Sequence, residues 1–102
     1  MIGVVGLSHR SAPIEVRERL ALGEPKIVSL LERLVEQPEI GEAMLVSTCN
    51  RVEVVVAGRS AETSLESVVR VAAELLETEA PGIGAHLYRH AGGDAVRHLF
   101  RV

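Results

Sequence analysis

"EAMLVSTCNRVEVVVAG", residues 42–58, decides the fold. Its two halves, 42–48 and 52–58, are apolar, strand-like runs rich in β-branched residues, and only Cys49, Asn50 and Arg51 lie between them. A connection that short predicts a hairpin of antiparallel strands. The single cysteine of the chain then stands at a strand end, beside a tight turn.

Working outward, "EPKIVSLLERLVEQ" (24–37) places Ile27, Leu30, Leu31 and Leu34 at helical spacing, with Pro25 near its start and Pro38 just past its end. It predicts a helix. "IGVVGLS" (2–8) is short and β-branched, and reads as a strand running into the loop "HRSAP"; "IEVRERLAL" after it supplies one or two helical turns. On the other side, "SAETSLESVVRVAAELLETEA" (60–80) offers Ser60 or Thr63 as N-cap and sets Leu65, Val68, Val69, Ala72, Leu75 and Leu76 on one face, closing at Pro81-Gly82. "AHLYRH" (85–90) reads as a fourth strand, and "GGDAVRHLFRV" opens another helix with Asp94 in its first turn. The order β-α-β-β-α-β is the split βαβ, ferredoxin-like α+β arrangement: an antiparallel four-stranded sheet with two helices on one face.

The last helix adds a separate expectation. Ala95, Val96, Leu99 and Phe100 form an apolar stripe still running at Val102, without a cap or glycine stop. Either this is an amphipathic C-terminal helix docked on the sheet or residues 1–102 are a piece of something longer; an uncapped helix end leaves carbonyls unsatisfied, so the second is expected.

Composition limits the function classes. With 102 residues, 47% hydrophobic and 25% charged, the chain suits one soluble domain with a true core. No apolar run approaches the ~18 residues of a membrane span, and no secretory leader is visible. A lone cysteine forms no internal disulfide, which fits a reduced, cytoplasmic setting. The net charge of −3 argues against indiscriminate phosphate binding, though Arg10, Arg51 and Arg89 are candidates for a local positive rim. Neither a zinc spacing nor a glycine-rich nucleotide loop occurs, so neither a metal nor a cofactor site is expected within the chain.

Two readings of Cys49 stand side by side. Free cysteine is among the most buried residue types, and a non-catalytic ferredoxin-like module that binds a ligand or partner through its sheet needs nothing more of it. Against this, Ser47, Thr48, Asn50 and Arg51 crowd polar groups around the sulfur, and a cation or histidine beside a thiol favours the thiolate. Of the four histidines, His98 is the best placed to serve it, at the border of the apolar stripe with Asp94 one turn earlier as a possible orienting carboxylate.

Three blocks carry a resemblance. "GLSHRSAPIEVRERL" (6–20), "LVSTCNRVEV" (45–54) and "HLYRHAGGDAVRHLFRV" (86–102) resemble successive signatures at the start of glutamyl-tRNA reductase. That resemblance implies conversion of glutamyl-tRNA to glutamate-1-semialdehyde with NADPH, in tetrapyrrole synthesis. It implies Cys49 as the nucleophile that holds the glutamyl group as a thioester, and His98 as a residue needed for activity. Thr48, Asn50 and Arg51 would bind substrate, with His9 and Ser11 as pocket wall. It further implies that residues 1–102 are an N-terminal catalytic domain incomplete at its C-terminal end, with the rest of that domain and NADPH-binding and helical dimerisation domains beyond these residues, a homodimer, and a downstream aminomutase as partner. Residues 1–102 alone would retain at most acylation of the thiol and hydrolysis of the product.

Overall fold

The computed structural model describes residues 1–8, 10–11, 24–48, 51–75 and 87–101. Among these residues seven elements follow in order: β1 (Ile2–Ser8), α1 (Glu24–Val35), β2 (Ile40–Ser47), β3 (Arg51–Gly58), α2 (Ala61–Leu75), β4 (Tyr88–Ala91) and α3 (Gly93–Arg101). The strands form one sheet in the order β2-β3-β1-β4, every pair antiparallel. This is the expected split βαβ arrangement. The helical turns anticipated over 14–22 and the turn at Pro81-Gly82 lie outside the described residues.

The central hairpin forms as its sequence requires. Ser47 pairs with Val52, and the Thr48 N–H donates to the Arg51 carbonyl at 2.8 Å, so β2 and β3 are joined within four residues. Strand alternation then divides the sheet's side chains between two faces. Val5, Val54 and Val56 point to one face and form the core with Leu30 and Leu34 of α1 and Leu65, Val68 and Val69 of α2. Each such side chain, once buried, contributes roughly 1.5–3 kcal/mol. Ser60 caps α2, its Oγ accepting the Thr63 N–H at 3.4 Å. α1 stops before Pro38, where the Gln37 side-chain amide donates to the Arg33 carbonyl at 3.1 Å and satisfies one orphan acceptor.

The third helix takes the other face. Glu53 neighbours Val54 in β3 and therefore points away from α1 and α2, yet His98 of α3 reaches it. α3 thus packs on β4 and β1 from the side opposite the first two helices. β1 is consequently buried along both faces from Gly3 to Ser8, with Val4 fully enclosed. The α3 stripe is only partly used: Ala95 is fully buried, Val96 is partly exposed and Phe100 is 87% exposed. α3 leaves the β2 side of this face open, where Met44 is exposed.

Candidate active site

The open end of that second face carries the polar chemistry. Gly6 of β1 pairs with Glu53 of β3 on one side and with Tyr88 of β4 on the other, so the three form a row across the sheet. A methyl group at Gly6 would sit 2.4 Å from Tyr88 Cζ. The absence of a side chain there is what lets the Tyr88 ring lie across β1 and bring its hydroxyl to Glu53, donating to Oε2 at 2.5 Å. His98 Nε2 bonds the same oxygen. His90, next on the same face of β4, stacks on the His98 ring with centroids 4.3 Å apart and planes 24° from parallel.

Electrostatics inside the cluster are uneven. Glu53 is 1% exposed, and burial by itself pushes its carboxyl upward. The hydrogen bonds from Tyr88 and His98, with the charge of the Arg51 guanidinium and that of the His98 ring whenever it is protonated, outweigh that push and hold it below the usual carboxylate range. An ionised carboxylate only accepts, so His98 Nε2 carries the proton it shares with Glu53. Burial and the bond to Glu53 raise the Tyr88 hydroxyl, which stays a neutral donor. His90 is held below the ordinary histidine value, first by burial and then by the neighbouring His98. Glu53 Oε1 is buried without a partner among the described residues. Such a group costs about 1–3 kcal/mol, which a cluster serving stability alone would have little reason to carry.

Cations border the same ground. Ser8 pairs with Arg51 at the end of β1, and its Oγ accepts the backbone N–H groups of Arg10 and Ser11 at 3.2 and 3.3 Å. Ser11 Oγ accepts the Ser8 N–H in return at 2.9 Å. This small turn sets Arg10 and Ser11 beside Arg51, whose guanidinium lies 3.9 Å from Glu53 Oε2. Together with Tyr88, His90 and His98 they line an open cavity of about 320 Å³.

Of the residues singled out from sequence, Arg10, Ser11, Arg51 and His98 meet in this cavity. Thr48 stands at the turn, with its backbone bonded to Arg51. Cys49, Asn50 and His9 lie outside the described residues. Two expectations need correction. The carboxylate that orients His98 is Glu53, and Asp94 instead pairs on the surface with Arg97, because i to i+3 on a short exposed helix brings those two together. Arg89 does not join Arg10 and Arg51, because it alternates with Tyr88 and His90 and so takes the opposite face of β4. Glu53 and Tyr88 were not anticipated, and His90 was weighed with the other histidines but passed over for His98. The available signal was a lone acid inside the β-branched run "VEVVV", a costly place for a carboxylate without partners.

A profile of the family described as glutamyl-tRNA(Glu) reductase, N-terminal domain, matches residues 5–102. The chain belongs to this family. Relatives named glutamyl-tRNA reductase agree in detail: one from Xanthomonas axonopodis pv. citri is 41% identical over 99 residues, which are 97% of this chain and 21% of the relative. Another from Synechococcus sp. is 41% identical over 101 residues, 99% of this chain and 23% of that protein. Among solved structures, the glutamyl-tRNA reductase from Methanopyrus kandleri superposes with a TM-score of 0.67 at 28% identity, covering 99% of this chain and 21% of that one. The chain therefore spans about a fifth of the length of the reductases it matches. Its ferredoxin-like fold is that of the reductase N-terminal domain. No described helix is long and apolar enough to cross a membrane, and no group of three metal-ligating side chains occurs among the described residues.

Proposed function

We propose that this chain captures the glutamyl group of glutamyl-tRNA as a thioester, in a protein that reduces it with NADPH to glutamate-1-semialdehyde for tetrapyrrole synthesis. The observation that carries the reading is the cavity lined by Arg51 of the S-T-C-N-R block, which joins two arginines to a mostly buried histidine held by a carboxylate. Arg51 and Arg10 suit the side-chain carboxylate of a glutamyl group, which an arginine fork binds in two-point fashion. Thr48 and Asn50, the neighbours of Cys49 in the chain, complete the proposed substrate-binding set with His9. His98 acts as general base: it takes the Cys49 proton as the sulfur attacks the ester carbonyl, and returns it to the ribose oxygen as the ester C–O bond breaks. One C–S bond forms, one C–O bond breaks, and the tRNA leaves with its hydroxyl restored.

The described residues do not fit a dinucleotide. The one described glycine turn from a strand into a helix, Gly92-Gly93 between β4 and α3, lacks the G-x-G-x-x-G order and its Gly92 N–H is taken by the Ile2 carbonyl, and the cavity of about 320 Å³ lies at the small end of ligand sites. The hydride step is therefore not assigned to them. The cytoplasmic setting, a homodimer and transfer of the aldehyde to an aminomutase belong to the same reading.

The test is transfer of labelled glutamate from glutamyl-tRNA to the 102-residue chain, followed on denaturing gels without thiol reagents. Label should appear on the wild type and be lost in Cys49→Ser, and His98→Asn should slow its appearance by roughly 10²-fold or more. Label that persists in Cys49→Ser refutes the thioester.

A further inference from the structure

We infer that Tyr88 is a positioning residue for His98, acting through the Glu53 carboxylate, and that this row leaves Nδ1 as the nitrogen His98 offers to the substrate. The inference rests on the reading of His98 as general base.

Three constraints meet on one imidazole. Its Nε2 edge is held by Glu53, which is itself enclosed and has no room to turn. Its flat face is covered by His90, with ring centroids 4.3 Å apart. Glu53 in turn is held by the Tyr88 hydroxyl, donated across the gap at Gly6. Edge and face together fix the ring plane, and the carboxylate fixes the tautomer, because a neutral imidazole with its proton on Nε2 has its lone pair on Nδ1. When the thiol proton arrives at Nδ1, the imidazolium keeps its Nε2–H on Glu53, whose negative charge stabilises the new positive one. Glu53 takes up no proton in this sequence. The Tyr88 hydroxyl keeps the carboxylate oriented through both states.

The arrangement differs from a purely structural one in a way that can be measured. The 102-residue chain labelled with ¹⁵N-histidine should show a protected, downfield imidazole proton attached to His98 Nε2. Tyr88→Phe keeps the ring's volume and removes only the oxygen; in it the proton should persist but exchange about tenfold faster, as its acceptor loosens. Glu53→Gln should abolish the protected signal, and Glu53→Asp, which keeps the charge at a shorter reach, should recover part of it. In the glutamyl-transfer assay Tyr88→Phe should lower the single-turnover rate constant about tenfold, with the apparent affinity for glutamyl-tRNA unchanged within about twofold. A wild-type His98 protonated on Nδ1 overturns the inference. So does a Tyr88→Phe variant whose exchange and transfer rates match the wild type, or one whose affinity falls in step with its rate. Should wild-type chain take no label at all, the thioester reading fails by itself, and the exchange measurements still decide the row.

Discussion

Replacing Gly6 by alanine should disconnect Tyr88 from Glu53, at a cost the geometry bounds. The new Cβ would lie 2.4 Å from Tyr88 Cζ and 2.5 Å from its hydroxyl oxygen. Carbon contacts settle near 3.5–4.0 Å, so the ring must retreat by about 1 Å or more. The hydrogen bond to Glu53, now 2.5 Å, then passes beyond about 3.2 Å and is broken rather than stretched. A hydrogen bond to a charged group contributes about 1.5–3 kcal/mol, while alanine in place of glycine inside a strand returns about 0.5–1 kcal/mol. The net expectation is a loss of roughly 1–2 kcal/mol, carried almost wholly by the displaced ring. In a Tyr88→Ala background the obstacle is gone, and the same substitution should be neutral or slightly stabilising. Urea unfolding of the wild type, both single variants and the double variant, followed by circular dichroism, measures a coupling expected near 2 kcal/mol. Additive effects within about 0.5 kcal/mol would refute the claim that Gly6 exists to seat Tyr88.

Acid should weaken the fold through Glu53. Its carboxyl is depressed below 4.5 in the folded chain, so its contribution is complete above that value and is lost as pH falls through the lower folded value; urea midpoints between about pH 6 and pH 3 should fall more steeply for wild type than for Glu53→Gln. Leu34→Ala empties a fully buried position between α1 and the sheet and should cost about 3–4 kcal/mol in the same unfolding assay. Phe100→Ser, at a side chain 87% exposed on α3, should change unfolding stability by no more than about 0.5 kcal/mol.

Much of the architecture was legible because it is periodic. Leu30 and Leu34, or Leu65, Val68 and Val69, announce helices whose apolar face is buried, and that is where they are buried. The tight linkage of 42–48 to 52–58 forced the hairpin, and element order then left few topologies open. Boundaries shifted by a few residues, as at β4, which begins at Tyr88 because pairing with Gly6 begins there. Periodicity was least informative for α3: its stripe of Ala95, Val96, Leu99 and Phe100 suggested a buried face, yet Phe100 stands almost fully in solvent.

The site divides along the same line. Arg51 and His98 could be picked out because they sit in local signatures, beside the thiol and on an amphipathic helix. Glu53 could not be assigned to His98, which is 45 residues away, nor Tyr88 to Glu53, which is 35 residues away. Asp94 looked the natural partner only because it is near in sequence. The elements, their order and the family are local properties, written in spacing and in short blocks that survive without knowledge of the fold. Which carboxylate holds His98 depends on the register of three strands and on which face α3 covers, and a one-residue slip in register would turn Glu53 into the opposite face. That choice belongs to the packed sheet, where Gly6 leaves the gap that Tyr88 crosses.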